Sequence, residues 1–284
     1  MRLQKTLPVG FLVVVYCLGF PGRALSVPPE DRLSLRLFGG AGYHLFDDIS
    51  HGIEGWNALW HHKWHRILDG EFRPFHWGVQ FGAEFVVQVK PGFAVGFETG
   101  VLRAGRESRR TVQYDDGYYR NVSDESLNLA VRAIPLIVNG TLRIFPGKRL
   151  SLQAGLGLGC CLGIMDWRYR SISRESDSSL ETRWKGHSLA PVVQLRTGVE
   201  LKVREGLFIA IEALGRFARL RGLKGRLDAN GEITEDAFFW YDEWGYNKMS
   251  FRPEKEVAGW GDIRKGVADL SGVSLRAGIR IRLK

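Results

Sequence analysis

Residues 133–163, AIPLIVNGTLRIFPGKRLSLQAGLGLGCCLG, contain two runs of alternating residues on either side of one Pro-Gly turn. One face of each run is apolar, with Ile134, Leu136, Val138, Leu142 and Ile144 in the first run and Leu150, Leu152, Leu156 and Leu158 in the second. The opposite faces are polar or very small, with Asn139, Thr141 and Arg143, then Gln153, Gly155, Gly157 and Gly159. A period of two residues is typical of β-strands, so this stretch predicts a β-hairpin.

The same alternation appears in further runs, which brings the predicted strands to eight. The other runs are residues 33–45, 76–89, 93–102, 189–203, 207–217 and 273–283. Short connections at 90–92, 145–149 and 205–206 alternate with long ones at 46–74, 103–127, 166–187 and 219–267. Outer-membrane barrels have short periplasmic turns and long external loops. We therefore predict an all-β, eight-stranded antiparallel up-and-down transmembrane β-barrel over residues 27–284, with long external loops and periplasmic termini.

A soluble β-sandwich is the alternative fold, because its strands also alternate. The predicted polar faces, however, are rich in glycine and carry Glu and Arg in mid-strand, as expected of the lumen of a narrow barrel. This pattern favours the barrel.

The first 26 residues predict a secretory signal peptide, since Arg2 and Lys5 precede a short apolar run and small residues follow. The formal net charge of the whole chain is +9. In an exported protein such a charge favours anionic lipid headgroups and does not imply nucleic acid. The expected location is the bacterial outer membrane, with outer-membrane lipids and lipopolysaccharide as partners and a monomeric state.

Ionisable residues occur at lumen-facing positions of the predicted strands. An eight-stranded barrel has an interior that side chains fill, and unpaired charges are costly there. We therefore expect a salt-bridged network that closes the barrel, formed by Glu84, Glu98, Arg196, Glu200, Glu212, Arg216, Arg276 and Arg280, together with Arg36. The alternative is an ion or proton path through the same residues.

Two long connections contain weaker candidate sites. In the first, His61 and His65 have the i, i+4 spacing of a helical metal site, but an aromatic-rich helix at the lipid headgroups is favoured. The last connection is aromatic, and Trp240, Tyr241 and Trp244 are candidate ligand contacts. A connection of that length is expected to be functional or partly folded. No metal and no cofactor are predicted.

Signals of enzymatic chemistry are weak in this sequence. It contains no GxSxG, HExxH or CxxC motif and no phosphate-binding loop. Ser188 beside His187 is the one hint of a lipid hydrolase, and such neighbours mean little without geometry. The expectation is that the protein is not an enzyme.

The hairpin resembles a known family. Ile134-Pro135-Leu136, then 142–145 (LRIF) and the glycine-rich strand 154–159 (AGLGLG), are similar to outer-membrane β-barrel domain proteins of the OmpA/OmpW-like type. The resemblance implies insertion by the barrel assembly machinery. The function expected overall is that of a non-enzymatic barrel, with a polar, salt-bridged lumen and aromatic external loops, used for envelope integrity, adhesion or ligand contact. The alternatives are a porin-like channel for small solutes or ions, and an outer-membrane enzyme that modifies lipids.

Overall fold

The computed structural model describes residues 33–59, 65–115, 117–118, 120–146, 149–176, 178–242, 249–257 and 263–283, without the side chains of Leu59, Phe145 and Pro146. The predicted signal peptide, residues 1–26, lies outside these ranges. In chain order the elements are β1 (Leu33–His44), α1 (Asp47–Leu59), β2 (His65–Gly70), β3 (Trp77–Lys90), β4 (Phe93–Asp115), β5 (Arg120–Pro146), β6 (Leu150–Ser173), β7 (Ser179–Arg204), β8 (Leu207–Arg221), β9 (Lys224–Ala229), β10 (Glu232–Asp242), β11 (Met249–Pro253), α2 (Glu254–Val257), β12 (Ile263–Lys265), β13 (Val267–Asp269) and β14 (Gly272–Leu283).

Eight antiparallel strands pair in a closed ring, in the order β1-β3-β4-β5-β6-β7-β8-β14, and β14 returns to β1. The prediction of eight ring strands is thus confirmed, but the sheet has 14 strands among the described residues, because β2 and β9 to β13 form inside the long connections. No helix in the described ranges is long and apolar enough to cross a membrane.

Tight connections lie at one end of the ring. Gly92 and Gly206 take positive φ values of 80° and 74° at the turns between β3 and β4 and between β7 and β8. Glycine adopts this conformation at little steric cost, which explains its place in both turns. The first residue of β1 and the last residue of β14 pair at this same end, as Leu33 with Leu283.

The long strands show a reversal of sidedness that the sequence reading missed. In β5 the residues nearest the tight turns point apolar side chains outward, such as Val138 and Leu136, and bury Asn139. Further along, Leu129 and Leu127 are buried and Asn128 is exposed. The period of two continues unbroken, but its apolar face now points into the ring.

This reversal corrects two predicted loops. Residues 103–127 and 166–187 were expected to be loops, but β4 to β7 continue through most of both ranges and remain paired. The prediction was wrong because it assumed that apolar side chains face outward along the whole length of each strand. Where the outer face of a sheet meets water and the inner face packs on a core, the outer face is polar and the inner one is apolar.

Helix α1 packs into this apolar interior. Ile49 and Ile53 are fully buried in one core cluster with Leu127, Trp167 and Leu220. Trp56 packs edge-on against Trp167 at 5.6 Å between ring centroids. The expected helix therefore exists, but it closes the mouth of the ring instead of resting at the headgroup layer.

The last long connection is largely folded, as predicted. Its strands β9 to β11 extend the sheet from the edge of β7. Phe239, Met249 and Phe251 join the same core cluster as α1. This part of the chain therefore forms a cap over the end of the ring opposite the tight turns.

Candidate functional site

Arg276 and Glu98 lie at the centre of the lumen. Arg276 Nη1 and Nη2 donate to the two carboxylate oxygens of Glu98 at 2.9 and 3.2 Å, and Nε donates to Glu212 Oε2 at 2.8 Å. All three side chains are at most 2% exposed. Bidentate guanidinium–carboxylate pairs are among the strongest hydrogen-bonded contacts in proteins.

Further pairs complete this layer of the lumen. Arg196 Nη1 donates to Glu84 Oε2 at 2.7 Å, and Arg36 Nη2 lies 2.6 Å from Glu212 Oε1. Amides connect the carboxylates, because the Asn139 side chain donates to both Glu84 and Glu98 at 3.0 and 2.9 Å. These charges are therefore held by several partners at once.

Two of the predicted lumen arginines, Arg280 and Arg216, differ sharply in their pairing. Glu200 and Arg280, nearer the tight turns, form a bidentate pair at 2.6 and 2.7 Å. Arg216 is also buried, but its Nη2 donates a long hydrogen bond of 3.4 Å to the Gln80 amide oxygen, and its Nε has no hydrogen-bond partner among the described residues. The structure thus brings the predicted lumen residues together, with Arg216 outside the ion pairs.

The lumen has little free space in the described part of the chain. A cavity of about 30 Å³ lies among the side chains of Arg36, Glu84, Arg196, Glu200 and Arg280. That volume has room for about one or two water molecules. The apolar core around α1 fills the ring above the network. This geometry supports a closed lumen and gives no support to the channel alternative.

A second buried polar cluster anchors α1 inside the capped end of the ring. Glu125 accepts from Arg110 Nε at 2.7 Å and from the Tyr169 hydroxyl at 2.6 Å, and Arg110 also donates to Asn57 of α1 at 3.1 Å. Burial raises the pKa of the Tyr169 phenol, and the Glu125 carboxylate raises it further. Tyr169 therefore stays neutral, and its hydroxyl donates a hydrogen bond to Glu125.

The weaker predicted sites do not assemble. His65 begins β2, so it is not on a helix, and His61 lies outside the described residues. Trp240 and Tyr241 are only 7% and 6% exposed, and the Trp240 indole donates to the Arg252 carbonyl at 2.9 Å. Both therefore pack inside the cap, and Trp244 lies outside the described residues.

Ser188 and His187 do not form a catalytic pair in this arrangement. Neighbouring residues of a strand point to opposite faces, and His187 is exposed while Ser188 is half-buried. The Ser188 hydroxyl donates to the Arg221 carbonyl at 2.6 Å.

The outer surface has a groove that the sequence reading missed. Its volume is about 560 Å³. It lies beside Trp77, the first residue of β3, at the level where β4 and β5 extend beyond β3. Its lining includes Val79, Arg103 and Ala130. Finding it from sequence would have required the strand register, because the lining residues come from four different strands.

Comparison with known proteins gives one structural similarity. No protein-family model matches the sequence, and no curated protein matches it. Among solved structures, the chain is similar to the outer membrane protease OmpT from Escherichia coli. The identity is 10%, the match covers 90% of this chain and 99% of that chain, and the TM-score is 0.28.

The similarity changes one expectation. The expectation that the chain is not an enzyme is contradicted, because the matched structure is that of a protease, and it is withdrawn. The protease activity belongs to the matched protein and is not assigned to this chain. The narrower OmpA/OmpW-like resemblance stays a prediction.

Proposed function

We propose that this protein is an integral outer-membrane β-barrel with a sealed lumen, which anchors a folded cap outside the membrane. The observation that carries the proposal is an apolar belt around the whole ring. Each ring strand contributes an outward side chain that is at least 41% exposed: Leu37, Phe81, Phe97, Val138, Leu158, Leu195, Ile211 and Ile279. An apolar surface of this extent is unfavourable in water and favourable in lipid.

The height of the belt fits a bilayer. In β1 the outward apolar side chains run from Leu33 to Tyr43. At about 3.4 Å per residue and a tilt of about 40°, this distance is roughly 26 Å along the membrane normal. Tyr43 and Trp77 pack edge-on at 6.1 Å at the upper limit of the belt. Aromatic residues favour this interfacial level.

The proposed orientation follows from the connections. Bacterial outer-membrane barrels place short turns in the periplasm. The turns at Gly92 and Gly206 then face the periplasm, together with the first residue of β1 and the last residue of β14. The cap, with α1 and β9 to β11, faces outward, and outer-membrane lipids surround the belt.

The sealed lumen is tested by conductance in planar bilayers. The refolded protein is expected to show a heat-sensitive compact band on gels and no steady openings. A matched variant, Glu98→Ala/Arg276→Ala, removes the central pair and should raise leakage if these residues form the seal. Steady openings of the unmodified protein would contradict the sealed lumen. Failure to insert into liposomes would contradict the membrane anchor.

The same liposomes give a test for chemistry on lipids. Lipids recovered after incubation are compared by mass spectrometry with lipids from protein-free liposomes. New mass-shifted species would show that the cap or the belt is also a lipid-modifying site.

A further inference from the structure

The groove beside Trp77 lies on an open strand edge. β3 pairs with β4 as far as Ala104, and β2 pairs with β4 from Arg110 onward. In the described structure, the backbone of β4 between these two residues has no neighbouring strand on that side. The edge gives the groove its depth and leaves polar backbone atoms within it.

Arg103 lines this groove and faces a second arginine that adjoins it. Arg103 of β4 is the direct cross-strand partner of Arg132 of β5, and both side chains are exposed. Neither has an ion pair or a side-chain hydrogen bond among the described residues. Like charges placed directly opposite in a sheet are unfavourable, so this pair calls for an anion.

Two acidic residues lie at or beside the groove: Glu107 in its lining, and Asp166 of β6, which is the cross-strand partner of both Ala130 and Lys185. Glu107 accepts from Arg109 at 2.7 Å, so its charge is compensated. Arg106 in the groove lining adds a third cation. The local charge of the groove is therefore positive.

The surroundings of the pair fit a lipid. On β3, Val79 is the cross-strand partner of Arg103, and one row below it Phe81 pairs with Val101 at the apolar belt. One row above, Gly105 pairs with Ala130, so small residues line the groove at this level. Trp77, 70% exposed, forms the side wall. A ligand here would have acyl chains below and a charged headgroup at the arginines.

Phosphate is the anion that fits best. Cross-strand partners lie about 5 Å apart at their Cα atoms, so two guanidinium groups can hold the oxygens of one phosphate. A phosphate monoester carries close to two negative charges at neutral pH and so balances both arginines.

We propose that this groove, lined by Trp77, Val79, Arg103 and Ala130, binds together with the adjoining Arg132 the phosphorylated headgroup of an outer-leaflet glycolipid of the lipopolysaccharide class. This inference rests on the proposed outer-membrane location. The arginines hold the phosphate, and the belt below them contacts the acyl chains.

The test uses native mass spectrometry of the full chain in detergent micelles with bis-phosphorylated lipid A. The unmodified protein is expected to carry one lipid. Arg103→Gln/Arg132→Gln should bind about 30-fold more weakly, because each interfacial arginine contributes about fivefold. Ala130→Phe, which fills the groove without changing charge, should also lose the adduct.

The matched control is Lys202→Gln/Arg204→Gln. Both residues are exposed at the end of β7 next to the tight turn to β8, and the variant removes the same charge. It should bind as the unmodified protein does. Equal weakening in both double variants would overturn the site, since it would show general attraction between charges. Equal binding of dephosphorylated lipid A or of phosphatidylglycerol would overturn the glycolipid phosphate.

Binding and insertion are read separately. The lipid adduct is measured in micelles on protein that shows the compact gel band. If the unmodified protein inserts normally into liposomes but carries no lipid A in micelles, the groove is rejected and the membrane anchor is not. Failed insertion with a retained adduct rejects the membrane anchor alone.

Discussion

The lumen offers a sharp comparison between two arginines of similar burial. Arg276 and Arg216 are 1% and 6% exposed, and both point into the ring. Arg276 makes three charged hydrogen bonds to Glu98 and Glu212, whereas Arg216, among the described residues, donates only to Gln80. Arg276→Gln and Arg216→Gln therefore remove the same charge from different surroundings.

The expected costs differ because of the partners left behind. Arg276→Gln leaves two buried carboxylates short of a cation, and breaking such a pair costs about 3–5 kcal/mol. Glu212 keeps Arg36 at 2.6 Å, which places the cost toward the lower end of that range. Arg216→Gln gives up one long bond to a neutral amide and reduces repulsion among the lumen arginines. We expect it to cost about 1 kcal/mol or less.

The assay is equilibrium unfolding in urea from lipid vesicles, followed by tryptophan fluorescence and by the compact gel band. The difference between the two free energies of unfolding should be at least about 2 kcal/mol. If both variants lose the same stability within about 1 kcal/mol, ion pairing does not determine the stability of the lumen and the reasoning fails.

The remaining predictions concern the cap. Asp48→Ala should speed hydrogen exchange in α1 by about 30-fold. The Asp48 carboxylate accepts two hydrogen bonds from Arg264, at 2.6 and 2.7 Å, and one from the Val267 amide at 2.8 Å. Together these three bonds stabilise α1 by about 2 kcal/mol. Asp47→Ala is the control, since Asp47 is 57% exposed, and equal exchange in both variants would reject the clamp. Above about pH 10 the unfolded state loses the Tyr169 proton while the folded state keeps it, because burial raises the folded pKa. Stability should then fall by about 1.4 kcal/mol per pH unit relative to Tyr169→Phe, and identical alkaline slopes would contradict this.

The strand pattern near the tight turns was predictable residue by residue. Val138 and Asn139 alternate because a strand in a bilayer needs lipid outside and a packed polar lumen inside. The same alternation predicted which side chains meet in the lumen. It could not predict that Arg216 is left without an ion pair, because pairing depends on the stagger between strands.

The continued strands were not predictable by the same criterion. Leu127 and Leu129 alternate with polar residues as clearly as Leu136 and Val138 do, but they face inward. Only the position of the residue relative to the membrane decides which face is apolar. The helix in the first connection was expected, yet its burial depends on Trp167 and Trp184, which are far away in sequence.

The sequence alone determined the period of two, the number of ring strands and the sidedness of the belt, because these depend on neighbours within a few residues. The tertiary structure decided how the lumen charges pair, where α1 lies and that Arg103 and Arg132 face each other across two strands. These features depend on register, and register is set by the closure of the whole ring and not by any one strand.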